Sequence, residues 1–223
     1  MIVINQIRDN IEAIRKTIPD GVEILAAAKT RTSEEVKAAM EAGISLFGHN
    51  YVQEAEEMIH GLDVKAEWHM IGHLQRNKAG QAVELFDMIE SVDSLRLAKE
   101  LEKRCGQIGK VMPVLIEVNS GCEENKTGVL PENCVDLAGY LNTCKHLKLK
   151  GLMTMGPLTG DPEFSRPYYK ETRRLYEEIA NIAMDNVEMK VLSMGMSNSY
   201  RVAIDEGANL VRLGTIIFGP RVA

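Results

Sequence analysis

The sequence predicts a closed (β/α)8 barrel of the TIM type, a single domain over residues 1–223 with an extra helix at its N-terminus. Three observations carry this. Eight short runs, apolar on both faces, alternate with helical patterns, which means a parallel sheet covered by crossover helices. Eight such units fit a chain of 223 residues with few insertions. No composition shift, charge block or Pro/Gly-rich linker divides the chain. A doubly wound open sheet is the alternative, because periodicity does not establish closure.

The elements follow in order. Ile4, Ile7, Ile11, Ile14 and Ile18 recur every three or four positions and form an amphipathic helix, which Pro19-Asp20-Gly21 breaks. Val22 to Ala28 is a buried strand. Thr32 or Ser33 caps the next helix, with Glu34 and Glu35 in its first turn, and Gly43 ends it. Strands then fall at 44–47, 67–71, 86–92, 111–118, 147–153, 187–192 and 209–213. Helices are expected at 53–59, 77–83, 95–104, from about Pro131, over 164–184 and over 200–206.

Composition narrows the function. With 45% hydrophobic and 26% charged residues this is an ordinary globular composition. The formal net charge of −6 argues against nucleic acid as the main partner, which wants a basic face. No apolar run approaches the ~20 residues that cross a bilayer, and the N-terminus lacks the cationic start of a signal peptide. The four cysteines show no C-x-x-C pair and no zinc rhythm. Reduced thiols and a cytoplasmic location are expected.

In such a barrel the working face lies at the carboxyl ends of the strands. Lys29 stands directly after strand one, where a partly desolvated ammonium becomes a nucleophile for an aldehyde. After strands seven and eight come Ser193-Met-Gly-Met-Ser197-Asn198 and Val211-Arg-Leu-Gly-Thr215. Both are Gly/Ser/Thr-rich strand-to-helix turns of the kind that gathers backbone N–H groups on a phosphate. His69 and His73 are four apart but span a strand end and Gly72, with no third ligand evident, so no metal is expected. The run Gly121-Cys-Glu-Glu-Asn-Lys126-Thr127 lacks the second glycine of a phosphate loop and is expected to be a solvated loop. The methionines are core filler, although Met153, Met155, Met194 and Met196 end rim strands.

Six motifs occur in register: Leu25-Ala-Ala-Ala-Lys29-Thr30, Phe47-Gly-His-Asn-Tyr-Val-Gln-Glu54, Glu67-Trp-His-Met-Ile-Gly-His-Leu-Gln-Arg-Asn-Lys78, Gly151-Leu-Met-Thr-Met155, Ser193-Met-Gly-Met-Ser197 and Val211-Arg-Leu-Gly-Thr-Ile-Ile-Phe-Gly219. On these the chain resembles the pyridoxal phosphate homeostasis proteins (YggS/PROSC type), relatives of the alanine racemase N-terminal barrel, over nearly its whole length. The resemblance implies pyridoxal 5′-phosphate (PLP) as cofactor, with Lys29 as the lysine of its Schiff base. Ser197, Gly214 and Thr215 match the phosphate-binding turns, and Arg212 the arginine facing the pyridine nitrogen. Asn50 sits in the pocket-lining motif. Two departures stand out. The family usually has Glu where His49 stands, and acidic residues where Asn198-Ser199-Tyr200-Arg201 follow the serine.

An arginine, with a pKa above ~12, leaves the pyridine nitrogen unprotonated, which argues against transamination. Racemisation needs a base on each face of the substrate, and the racemases' second base comes from a C-terminal β domain. The sequence ends at Ala223, directly after the strand-eight turn, so that domain is not expected. The resulting expectation is a monomeric PLP carrier or buffer in vitamin B6 and amino-acid homeostasis, without strong catalytic activity. Apo forms of PLP-dependent enzymes would be its partners. A racemase-like enzyme with an unidentified substrate is the alternative, and a Schiff-base aldolase is a more remote one.

Overall fold

In the computed structural model, which describes residues 2–62, 65–157 and 160–220, the isoleucine stripe forms helix α1 (Ile2–Arg15) with Ile7, Ile11 and Ile14 buried. It packs on α2 (Ser33–Glu41) and α9 (Thr215–Phe218). The helix ends before the expected Ile18. The N–H and Oγ1 of Thr17 both turn onto the Ile14 carbonyl, at 2.8 and 2.7 Å, and tighten the chain ahead of Pro19. Thr32 is the cap of α2: its hydroxyl accepts from Glu35 N–H at 3.2 Å while the Glu35 carboxylate accepts from Thr32 N–H at 2.8 Å. Such a reciprocal cap satisfies two donors that a helix start leaves orphaned.

Eight parallel strands close into a barrel in sequence order: β1 (Glu23–Ala27), β2 (Leu46–His49), β3 (Glu67–Met70), β4 (Met88–Val92), β5 (Met112–Val118), β6 (Leu147–Thr154), β7 (Val187–Ser193) and β8 (Leu210–Leu213). The closing pair sets Leu25 of β1 level with Arg212 of β8. Between the strands run α3 (Val52–Gly61), α4 (Ala79–Leu85), α5 (Leu95–Ile108), α6 (Cys134–Asn142), α7 (Arg166–Ala180) and α8 (Tyr200–Asp205). The expected helix over 164–184 is divided and shorter. Asp161 accepts from Glu163 N–H at 2.9 Å and opens a 3₁₀ turn, Pro162–Ser165, ahead of α7. Beyond Ala180, the Asn186 amide donates to the carbonyls of Leu141, Cys144 and Leu147 at 3.1, 3.0 and 2.7 Å. That clamp pulls the chain onto the foot of β6, where a continuing helix could not go.

The pleat sorts side chains into two cores. Ala26, Phe47, Trp68, Ile89, Ile116 and Val211 face the helices in one continuous layer. Their neighbours point inward and form two small clusters, one of Leu25, Leu46, Ile71 and Leu210, the other of Met88, Leu115 and Met153. The interior is tight: a Cβ on Gly48 would lie 2.6 Å from Leu25 Cδ2 and 2.9 Å from Ile71 Cδ1. Two residues further along their strands, the same inward positions hold Glu90, Glu117, Ser193 and Arg212. A polar layer therefore sits on an apolar floor. Among the described residues no helix is long and apolar enough to cross a membrane.

Candidate functional site

The polar layer is built around Arg212, which is buried on β8. Its Nη1 donates to Ser193 Oγ on β7 at 2.7 Å, and its Nη2 to the Thr154 carbonyl closing β6 at 2.7 Å. Ser193 in turn donates to Glu90 Oε2 at 2.5 Å, and that oxygen lies 4.0 Å from the guanidinium. Glu90 Oε1 faces His69 Nδ1 at 2.7 Å, and His69 Nε2 faces Glu67 Oε1 at 3.1 Å. Burial alone would raise the Glu90 pKa, but the hydrogen bond and charge of His69, with Arg212 and Ser193, hold its carboxyl below the usual range. Burial likewise works against a charged His69, yet its two carboxylate partners raise it to about 9.

Glu117 faces the same space from β5. Its Oε1 accepts from the Thr127 hydroxyl at 2.7 Å, and its Oε2 is buried without a hydrogen-bond partner. Burial pushes its pKa up against the Thr127 bond, with the Asp93 charge adding to the rise and Arg212 and His73 opposing it. The loop 121–127 thus has a built connection to the interior, and only part of it is the solvated loop expected from sequence. Its Lys126 also lies 5.2 Å from the centre of the Tyr168 ring.

Above this layer lies the mouth. Lys29 follows Ala28 directly and is half-buried. The next residue, Thr30, takes φ +62°, a left-handed conformation that a β-branched residue rarely adopts. Its N–H donates to the Glu54 carboxylate in the first turn of α3. Arg31 reaches across to the Gly219 carbonyl at 2.6 Å, tying the Lys29 turn to the end of α9. On the other side, Gly214 N–H and Ile216 N–H both converge on Ser197 Oγ, at 3.2 and 3.4 Å. The Ser193–Ser197 turn depends on Gly195, at φ +93°, where a Cβ would lie 2.6 Å from that of Ala203. Thr215 is exposed at the start of α9.

Asn50 is half-buried at the end of β2, with Oδ1 enclosed and without a hydrogen-bond partner. It borders a cavity of about 430 Å³ shared with His73, Lys78, Thr127 and Met155. The two histidines of the Glu67–Lys78 motif part company: His69 points inward, while His73 pairs with Asp93 at 2.9 Å nearer the surface. No cluster of three metal-ligating side chains occurs among the described residues. His49 does not reach the mouth at all. It is buried beneath α3, its ring stacked on Trp68 at 5.6 Å between centroids. Burial lowers its pKa to about 4, with Glu54 at 3.9 Å working the other way.

Residues 2–222 match a family model described as the alanine racemase N-terminal domain. A pyridoxal phosphate homeostasis protein from Aquifex aeolicus (strain VF5) is 42% identical over 200 residues, covering 89% of this chain and 87% of the relative. The chain belongs to the pyridoxal phosphate homeostasis protein family. Its fold is that of a solved family member, PipY of Synechococcus elongatus PCC7942 without PLP, at 32% identity and a TM-score of 0.90 over 96% of this chain and all of that one. PipY with PLP bound gives 30% identity and a TM-score of 0.87, again over 96% of this chain and 100% of that one.

Of the residues expected from sequence, Ser197 and Gly214 are in contact, Arg212 is buried on β8, and Lys29, Asn50 and Thr215 stand just past the carboxyl ends of β1, β2 and β8. Sequence reasoning missed Glu90, Glu117 and the part played by Ser193. A signal existed for the two acids: Glu117 interrupts an otherwise apolar strand and Glu90 a mostly apolar one, where an ionised group demands a partner.

Proposed function

We propose that the protein binds PLP in this mouth through a Schiff base on Lys29 and serves PLP homeostasis as a carrier or buffer, without strong catalytic activity of its own. The observation that carries the reading is the placement of Arg212, buried and locked to Ser193 and Thr154 at the carboxyl end of β8, the strand that pairs with β1 just before Lys29. When bound, PLP supplies an electrophilic aldehyde and an aromatic ring that accepts electrons. The residues fit such a molecule. Lys29 offers the amine; the Ser197 hydroxyl, which accepts from the N–H groups of Gly214 and Ile216 and keeps its own proton to give, and the Thr215 hydroxyl offer donors for a phosphate. Asn50, whose enclosed Oδ1 has no hydrogen-bond partner, borders the cavity at the rim. Against a pyridine nitrogen the guanidinium of Arg212 presents only donors, so that nitrogen keeps its lone pair and the ring draws electrons weakly.

Absorbance titration with PLP tests the reading. The parent is expected to develop the yellow band of an imine and Lys29→Ala to lack it; a parent without the band refutes the assignment. Cα-deuterium exchange of amino acids in D₂O decides between carrier and racemase-like enzyme, with no exchange above the PLP background expected. Within this reading the protein is a cytoplasmic monomer and apo PLP-dependent enzymes are its recipients. Reactivation of an apo-enzyme in the presence of a PLP scavenger should then exceed that given by equal free PLP.

A further inference from the structure

Glu90 has no exposure to solvent, and both of its oxygens are engaged. The Ser193 hydroxyl gives its one proton to Glu90, so on its other side it can only accept, and there it meets Arg212 Nη1. The second guanidinium nitrogen ends on the Thr154 carbonyl. Arg212 is thereby held by acceptors on β6 and β7 and faced by a carboxylate on β4, none of them on its own strand. An arginine has many rotamers, and freezing it only when a ligand arrives would oppose binding.

We propose that Glu90 is the positioning residue for Arg212: through Ser193, and by its own charge, it sets the guanidinium in place before any ligand enters the barrel. The inference rests on the PLP reading for what the guanidinium then meets. His69 is the brace behind Glu90. With Glu90 at one ring nitrogen and Glu67 at the other, the imidazole satisfies both only as the doubly protonated cation. Burial opposes that charge, but the two carboxylates hold it up to about 9. Glu90 is therefore an anion between two cations through the neutral range. The other charges facing this group are Glu67 on β3 and Glu117 on β5, the latter near Asp93 and His73. Glu117 hydrogen-bonds the Thr127 hydroxyl, whereas the guanidinium ends on Ser193 and Thr154.

Ser193→Ala and Glu90→Gln test this, with Ser193→Thr as the conservative rescue. In the PLP-free protein the Arg212 guanidinium nitrogens, assigned in NMR spectra by their loss in Arg212→Lys, are expected to show hindered rotation. In Ser193→Ala and Glu90→Gln rotation should be at least ten-fold faster, and Ser193→Thr should behave as the parent. The His69 ring should lose at least one pH unit from its midpoint in Glu90→Gln and keep it in Ser193→Ala, a split that general loosening would not give. The PLP dissociation constant should rise about ten-fold in both variants. Unchanged Arg212 rotation together with dissociation constants within two-fold of the parent would overturn the proposal. If Glu90→Gln does not fold, Ser193→Ala decides by the same two measurements. A parent that gives no PLP band refutes the cofactor reading, and the PLP-free rotation of Arg212 then decides the positioning role by itself.

Discussion

His49 and His69 lie on neighbouring strands, both almost wholly buried, and their surroundings shift the two pKa values in opposite directions. The register sets Gly48 beside His69 and His49 beside Met70, so the pleat turns His69 into the barrel and His49 out beneath α3. His69 meets a carboxylate at each ring nitrogen and is held up to about 9; His49 has no hydrogen-bond partner at either and falls to about 4. Burial penalises the charged ring in both places. What differs is the company, and in a dry site a pair of charged hydrogen bonds outweighs desolvation where one carboxylate at 3.9 Å does not.

The comparison breaks hardest at Glu90. Glu90→Leu would leave His69 and Arg212 facing an apolar group, and stranding buried charges costs about 3–5 kcal/mol. Urea unfolding should record a loss of that size; a loss under ~1 kcal/mol would mean that the inner charges are compensated elsewhere.

The pH profile is the next largest effect, and the two rings give it opposite limbs. His69 has a folded pKa raised above its ordinary 6.5, so its stabilisation is full below that value and disappears as pH rises through about 9. His49 has a folded pKa depressed to about 4, so between 6.5 and 4 the unfolded chain takes up a proton that the folded one refuses. Stability therefore falls on acidification across that window. Each shift corresponds to roughly 3 kcal/mol. Denaturation midpoints from pH 4 to 10 should show both limbs, with the alkaline limb absent in His69→Gln.

His49→Phe sharpens the contrast from the other side. A phenyl ring keeps the stack on Trp68 and removes two unsatisfied nitrogens, whose burial costs about 1–3 kcal/mol. A gain of about 1 kcal/mol at pH 7 and a flatter acid limb are expected. A loss of stability in thermal or urea melts would show that the imidazole has a role the contacts do not reveal.

These differences explain what was legible in the sequence. Strands buried on both faces and separated by amphipathic helices wrote the barrel plainly, and the Gly/Ser/Thr turns after β7 and β8 marked the mouth. Lys29 stood out by its place after β1 and Arg212 by resemblance. Glu90 in Met88-Ile-Glu-Ser-Val92 was legible as an acid that demands a partner, but not as part of the site. Its partners come from β3, β7 and β8, and only closure of the barrel brings them together. At His49, where the family usually has Glu, strand parity hides the ring behind the sheet, and a run apolar on both faces gives no sign of which face is inward. Helix ends were misjudged at Ile18 and Met184 because Thr17 and Asn186 act through hydrogen bonds that periodicity does not record.

The region around His49 still bears on the mouth, through Glu54. The carboxylate that lies 3.9 Å from His49 also holds the N–H of Thr30, and Thr30 carries the strained link between Lys29 and α2. A left-handed conformation costs a residue other than glycine roughly 1–2 kcal/mol, while glycine gives back roughly 0.5–1 kcal/mol of that advantage as chain entropy. Thr30→Gly should therefore leave stability unchanged or raise it by up to ~1.5 kcal/mol. PLP binding should move the other way, weakening two- to three-fold as the turn carrying Lys29 loosens. Paired melting curves and PLP titrations read the two signs. Opposite signs mean that the strain is kept because it aims the lysine, as strained backbone at functional sites generally is. A variant that is both more stable and as tight a binder would show that Arg31 and the end of α9 hold Lys29 without help from Thr30.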